Sequence, residues 1–176
     1  MFSSLISPRV RVAMGLTVAA AAAGLLAVGG SAAPARNVPA ELRIVIVAAG
    51  PGGGADVPPE GDSVGDSDTF ESVGSDPKTG RRLGRGESVC TIFAIAKPGG
   101  FGPPARNTTF HCYSIVRLRG GQLTLSGRVR FDGQGRPSNE PAAILGGTGR
   151  FAGARGSATS RPLGEGKELI VLRFVR

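Results

Sequence analysis

Glycine divides most of this chain into short segments, and that spacing limits what the chain can fold into. The sequence holds 29 glycines in 176 residues. Between the glycine-rich points lie short runs of Val, Ile, Leu, Thr and Phe, without the three-to-four-residue apolar spacing of a helix. Short β-prone runs separated by turn residues predict an all-β sandwich or barrel.

Eight of these runs are predicted as strands. They span residues 42–47, 63–73, 83–96, 108–118, 122–131, 142–145, 154–161 and 167–175. Residues 50–61, 76–80 and 97–106 are predicted as Gly/Pro loops or turns, and Gly120-Gly121 as a tight hairpin turn. Eight antiparallel strands in one domain predict a closed eight-stranded antiparallel β-barrel, because closure removes exposed sheet edges. Such an interior is either filled by side chains or holds one small ligand.

The alternation of apolar residues supports this fold. In the fifth run one face carries Leu123, Leu125, Gly127, Val129 and Phe131, and the other face is polar. The first and last runs are apolar on both faces. We therefore expect their outer face to be covered, either by another subunit or by the chain's own Gly/Pro loops.

The N-terminus has the pattern of a secretory signal peptide. Arg9 and Arg11 precede an apolar run over residues 13–28, and small residues follow. Cleavage is expected after Ala35 or Ala33, leaving 36–40 as a short spacer and 41–176 as the barrel domain. The alternative is an uncleaved anchor, although the run is shorter than the roughly 20 residues of a spanning helix. We therefore expect a secreted or cell-envelope protein without a membrane segment after cleavage.

The two cysteines are expected to pair in the exported chain. Cys90 and Cys112 are equidistant from Phe101, so a symmetric hairpin places them directly opposite each other on neighbouring strands. Two buried thiols are the alternative. No metal site is predicted, because His111 is the only histidine and a zinc site needs three or four ligands. His111 is next to Cys112 and is expected on the opposite face, as a surface or hydrogen-bonded strand histidine rather than a catalytic one.

The basic charge does not predict nucleic-acid binding. The formal net charge is +8, and removal of the signal peptide with its two arginines leaves +6. The bases are scattered singly apart from Arg81-Arg82, and the chain has one Tyr and no Trp to stack on bases. A solvated basic surface is the preferred interpretation.

Four segments together resemble the dirigent and allene oxide cyclase superfamily. Residues 146–156 (GGTGRFAGARG) are similar to its Gly-Gly-Thr-Gly-x-Phe-x-x-Ala-Arg-Gly signature. Residues 61–69 (GDSVGDSDT), 83–86 (LGRG) and 121–128 (GQLTLSGR) resemble three further strands of that family, in the same order. The resemblance implies an eight-stranded barrel with an apolar cavity, commonly a homotrimer. Plant members steer the coupling or cyclisation of a reactive small molecule, without a metal or organic cofactor.

Candidate site residues follow from cavity chemistry and from this resemblance. Asp66 and Asp68 are two apart, so on a strand they share a face and form a candidate catalytic acid/base pair; an acidic rim is the alternative. Arg155 matches the signature arginine and is a third catalytic candidate, with a structural ion pair as its alternative. Arg85 and Glu140 are weaker, ligand-binding candidates. Ala152 replaces a second arginine of many plant members, so the plant reaction is not carried over.

Two functions are therefore carried forward. The first is a secreted barrel that binds an apolar small molecule and steers its cyclisation or coupling, with a cofactor-free, isomerase-like activity if it is an enzyme. The second is a non-catalytic interaction or structural protein of the cell envelope with a filled barrel. Small residues inside favour the first, and Ala94, Ala96, Gly127, Ala142 and Ala143 are the candidates for that role.

Overall fold

A computed structural model describes residues 38–50, 52–96, 107–134, 136–138 and 140–175. In these ranges the strands are β1 (Glu41–Ala48), β2 (Gly53–Ala55), β3 (Ser67–Ser75), β4 (Arg82–Ile95), β5 (Thr108–Leu118), β6 (Gly121–Arg130), β7 (Ala142–Gly147), β8 (Gly156–Gly164) and β9 (Lys167–Phe174). A 3₁₀ turn at Gly149–Phe151 lies between β7 and β8. The predicted signal peptide and the loop at 97–106 lie outside the described residues.

Eight of these strands close into the predicted barrel. Their order is β1-β9-β8-β7-β6-β5-β4-β3, and β3 pairs back with β1. All of these pairings are antiparallel. The ninth, β2, was not predicted. It continues the line of β1 along the edge of β3, where Gly54 pairs with Asp68.

The barrel has one end filled by side chains. Its largest fully buried apolar residues are Phe151, Leu123 and Leu172, which pack with Ile44 and Ile144. This end carries the β3–β4, β5–β6 and β7–β8 connections, and we call it the closed end. The opposite end carries the β4–β5, β6–β7 and β8–β9 connections, and we call it the open end.

The outer face of the β1–β9 pair is apolar, as the sequence predicted. Val45 pairs with Leu169, while the neighbouring pair of Ile44 and Ile170 faces the interior. Val45, Val47, Leu169 and Val171 form the outer seam, and Val47 is 39% exposed.

The predicted disulfide is confirmed. Cys90 and Cys112 are directly paired across β4 and β5 and are bonded to each other. The bond indicates a non-reducing compartment. In the described part of the chain, no helix has the length and apolar character to span a bilayer.

Replacing both cysteines by alanine is expected to lower the free energy of unfolding by about 3 kcal/mol, because the bond closes a loop of roughly 20 residues. Urea denaturation of the oxidised protein and of the double variant measures this difference. The wild type whose disulfide has been reduced with a thiol reagent is expected to have the same free energy of unfolding as the double variant. Equal midpoints for all three proteins would contradict the prediction.

Candidate functional site

A cavity of about 420 Å³ lies in the barrel above the closed-end core. Its volume is within the usual range of small-molecule sites. Inward positions of most barrel strands contribute to its wall. Its apolar lining includes Ile44, Ile46, Ala48, Phe70, Val116, Leu118, Leu125, Val129, Ala142, Ala158 and Ile170, together with the disulfide. The barrel therefore contains apolar space that its own side chains do not fill.

Serine hydroxyls supply polar groups inside this apolar wall. Ser72, Ser88, Ser114 and Ser160 occupy inward positions on β3, β4, β5 and β8. Ser88 and Ser114 face each other across the β4–β5 pair with their Oγ atoms 2.8 Å apart. In such a pair one hydroxyl donates to the other, so one proton and several lone pairs stay available to a bound molecule. These are neutral groups, suited to carbonyl, ether or hydroxyl oxygens.

Small residues make the room for this cavity. Gly84 and Gly86 alternate along β4, so the cavity reaches the main chain there. Gly127 is packed against Ala142: a Cβ at position 127 would lie 2.6 Å from the Ala142 Cβ. Gly127 and Ala142 line the cavity as expected. The other alanines that suggested room, Ala94, Ala96 and Ala143, are exposed instead.

Carboxylates mark the mouth of the cavity at the open end. Glu168 at the start of β9 and Glu140 before β7 both border the cavity. Glu140 Oε2 lies 3.5 Å from Arg128 Nη2. Glu140 therefore borders the cavity, and its ligand-binding role stays a prediction. Arg85 also borders the cavity, on the strand face opposite to the inward positions 84 and 86.

Asp66 organises the loop that precedes β3. Its Oδ1 accepts a hydrogen bond from the Val57 amide at 2.8 Å, and its Oδ2 accepts one from the Ser63 amide at 2.7 Å. The Ser63 hydroxyl also donates to Oδ1. The backbone bonds from Val57 and then Ser63 hold the pKa of the Asp66 carboxyl below its ordinary value. This explains why the predicted second strand begins only at Ser67: residues 57–66 form a loop closed by this carboxylate.

The Asp66 bonds predict a pH dependence of stability. Because the folded-state pKa is lowered, the ionised Asp66 carboxylate stabilises the fold at pH values above its unfolded pKa of 3.8. This stabilisation is lost as the pH falls through the folded-state pKa. Asp66→Asn is expected to lower the melting temperature at pH 7, because its amide NH₂ confronts the donating Ser63 amide, and to lower it less near pH 3. Circular dichroism melts across this range measure the effect, with Asp68→Asn as the control. A loss that is constant with pH would contradict it.

Two further acidic residues lie near Asp66: Asp62 in the same loop and Asp68 on β3. Asp68 is exposed on β3, with an Oδ1 close to Gly54 of β2. Burial and then the charge of Asp66 raise the pKa of the Asp62 carboxyl. Asp66 and Asp68 thus lie in the same region of the open end, but both carboxylate oxygens of Asp66 accept hydrogen bonds from the loop. A catalytic role for this pair stays a prediction.

Arg155 lies at the closed end. Its side chain is exposed, and its Nη1 donates to the Ala154 carbonyl at 2.9 Å. The Arg155 carbonyl in turn accepts the Val175 amide. The structure therefore does not bring Arg155 together with Asp66, Asp68 or Glu140.

His111 is exposed on the outer face, where its Nε2 lies 2.7 Å from Ser126 Oγ. Among the described residues, no group of three or more His, Cys, Asp or Glu side chains is placed to hold a metal ion.

The inward serines were missed by the sequence analysis, although a signal for them exists. Side chains two apart on a strand share a face. Ser88 is two residues before Cys90, and Ser114 is two residues after Cys112. Once the disulfide fixes the register of β4 and β5, both serines must therefore share the disulfide's face.

Comparison with solved structures gives the fold of this chain. No family model and no curated protein matches it. A solved structure described as pyocyanin demethylase aligns with a TM-score of 0.59 at 20% identity, over 77% of this chain and 99% of that one. The Diels–Alderase AbmU from Streptomyces koyangensis aligns with a TM-score of 0.54 at 19% identity, over 77% of this chain.

The alignment with that Diels–Alderase covers only 64% of its length. A dirigent protein, the pterocarpan synthase PsPTS1, aligns with a TM-score of 0.50 at 15% identity, over 77% of this chain and 95% of that one. At these identities the shared feature is the fold. The strand order, the closed barrel and these neighbours together show that the chain shares its barrel fold with these proteins.

Proposed function

We propose that this protein binds an apolar small molecule in its barrel cavity and steers the cyclisation or coupling of that molecule. The observation that carries the proposal is the unfilled cavity of about 420 Å³, apolar but lined at intervals by serine hydroxyls. An apolar pocket with a few fixed polar groups can hold a flexible substrate in one reactive conformation. Neighbours of the same fold include a Diels–Alderase and a dirigent protein, which makes such chemistry compatible with the barrel.

The charges around the cavity favour an uncharged ligand, because carboxylates and guanidinium groups both border it. Glu168 lies at the mouth, Glu140 is paired there with Arg128, and Arg85 also borders the cavity, while Arg155 lies at the other end. The inward serines offer neutral hydrogen bonds. We therefore propose that Glu140 and the Ser88–Ser114 pair orient the ligand. Roles for Arg85, Asp66, Asp68 and Arg155 stay predictions from the sequence.

The alternative is a filled, non-catalytic barrel of the cell envelope. That function expects Leu, Ile and Phe side chains to meet throughout the interior. They do meet at the closed end, around Phe151 and Leu123, but the cavity lies above them. The structure therefore favours the ligand-binding proposal.

Native mass spectrometry of the protein purified from its own source tests the proposal. A stoichiometric extra mass that leaves on denaturation is expected, and its value narrows the substrate class. The same spectrum reads the N-terminus and so tests the proposed secretion and cleavage after Ala35 or Ala33. A bare mass in every charge state, together with no uptake of a neutral apolar dye, would count against ligand binding.

We also propose that the outer seam is an interface between copies of this chain, in a homotrimer. The seam is apolar and partly exposed, and a second copy would cover it. Light scattering at micromolar concentration is expected to give a mass above that of the monomer. Leu169→Arg is expected to release monomers, whereas Thr124→Arg on the outer face of β6 leaves the assembly intact. A wild-type protein that is monomeric at this concentration would contradict the proposal.

A further inference from the structure

We propose that the closed end of the barrel docks on an anionic phospholipid surface, with the cavity mouth facing away from it. The proposal rests on an uneven distribution of charge between the two ends. Six exposed cations form what we call the basic end face: Lys78, Arg81, Arg82, Arg119, Arg150 and Arg155. They come from the β3–β4, β5–β6 and β7–β8 connections, which an antiparallel barrel brings to one end.

The connections that carry these cations are in direct contact. The Arg150 amide donates to the Gly120 carbonyl at 2.8 Å, next to Arg119. A Cβ at Gly120 would lie 3.0 Å from Arg150 Cδ. On the other side, Gly84 of β4 pairs with Leu118 of β5, so Arg82 and Arg119 extend from adjacent strands. The cations therefore form one continuous face.

Carboxylates offset only a small part of this charge in the described part of the chain, where the Asp76 carboxylate interacts with the charge of Arg81. None of its six cations takes part in an ion pair there. The acids at this end are Asp76 and Glu41. Asp76 accepts the amides of its own turn, and Glu41 pairs with Arg43 and Arg173. The open end, by contrast, holds nine of the 13 acids: Asp56, Glu60, Asp62, Asp66, Asp68, Asp132, Glu140, Glu165 and Glu168.

The lack of an open aromatic platform favours lipid over nucleic acid as the partner. Among the described residues at this end, Phe151 is fully buried, with Arg150 Cζ 4.7 Å above it. Phe174 is half-buried and stacks on Phe151, so this end offers little ring surface for stacking bases. Anionic headgroups need no such platform, because clustered basic residues attract them by charge.

Vesicle co-sedimentation tests the proposal. The protein is used with the N-terminus it has when purified. Vesicles of phosphatidylcholine alone are compared with vesicles in which part of the phosphatidylcholine is replaced by anionic phosphatidylglycerol. Binding to the first type measures apolar insertion, and the additional binding to the second type measures attraction by charge. Arg81→Gln/Arg82→Gln is expected to weaken partitioning to the anionic vesicles by about 25-fold, since each basic residue contributes about a fivefold effect. Added salt is expected to weaken it as well.

The matched control is Arg130→Gln/Arg161→Gln, which removes the same charge near the open end. It is expected to change partitioning by less than about threefold, because these residues lie away from the docked face. If both double variants lose the same fraction of vesicle binding, the proposal is wrong, because the net charge of the protein and not the basic end face then determines binding. Equal binding to both vesicle types would overturn it too. Tighter binding to a DNA duplex than to anionic vesicles, lost in Arg81→Gln/Arg82→Gln, would replace lipid by nucleic acid.

Discussion

Phe151→Ala is expected to lower the free energy of unfolding by about 3–5 kcal/mol, the usual cost of deleting a fully buried phenylalanine. Phe151 has no exposed surface and fills the closed end with Leu123 and Leu172. Its ring stacks near Phe174, with centroids 6.5 Å apart. The backbone of β7 packs closely against it, since a Cβ on Gly147 would lie 2.8 Å from the Phe151 Cβ. The site therefore has little room to collapse, which places the cost toward the upper part of the range.

Phe93→Ala is the matched control, because the Phe93 side chain is 66% exposed on β4. Its expected loss is within about 0.5 kcal/mol. Urea denaturation followed by circular dichroism measures both variants. If Phe151→Ala does not fold, Phe151→Leu keeps most of the buried volume and is expected to lose about 1–2 kcal/mol. If Phe151→Ala lowers the free energy of unfolding as little as Phe93→Ala does, Phe151 is not the main core residue of the closed end.

The barrel could be predicted because its determinants are local and repetitive. Alternation along β6 correctly placed Leu123 and Leu125 in the interior. The disulfide between Cys90 and Cys112 fixed the pairing of the longest hairpin. The strand β2 could not be predicted, because Gly53 and Gly54 have low β-propensity. It forms where the chain runs alongside β3, which only the tertiary structure shows.

The candidate site was harder to predict, for physical reasons. The expectation that Asp66 and Asp68 share a face assumed that both lie on one strand. The amides of Val57 and Ser63 instead hold Asp66 in the loop before β3, which begins at Ser67. Arg155 belongs to a signature whose glycines shape the closed-end turn, so a match in sequence did not place its side chain in the cavity. Glu140 lies at the cavity because the β6–β7 connection passes over the open end, next to Arg128.

The cavity itself gives the prediction with the most direct bearing on function. Ser160→Phe is expected to abolish most binding of a neutral apolar dye such as N-phenylnaphthylamine, and of any ligand found by native mass spectrometry. Ser160 lies inside β8, opposite Ile170 of β9, and both line the cavity. A phenyl ring there displaces about 100 Å² of apolar ligand surface, worth about 2.5 kcal/mol. That corresponds to about sixtyfold in the dissociation constant.

Ser157→Phe is the matched control, since it makes the same change on the outward face of the same strand, between Ala143 and Arg173. Dye titration by fluorescence and a thermal melt are run on both variants. Ser160→Phe is expected to keep or raise the melting temperature, because a ring placed in empty apolar space adds buried surface without displacing neighbours. Loss of binding with the melting temperature retained would support the cavity as the ligand site. If Ser160→Phe instead binds the dye as tightly as Ser157→Phe, the ligand site lies elsewhere and the barrel interior serves the fold alone.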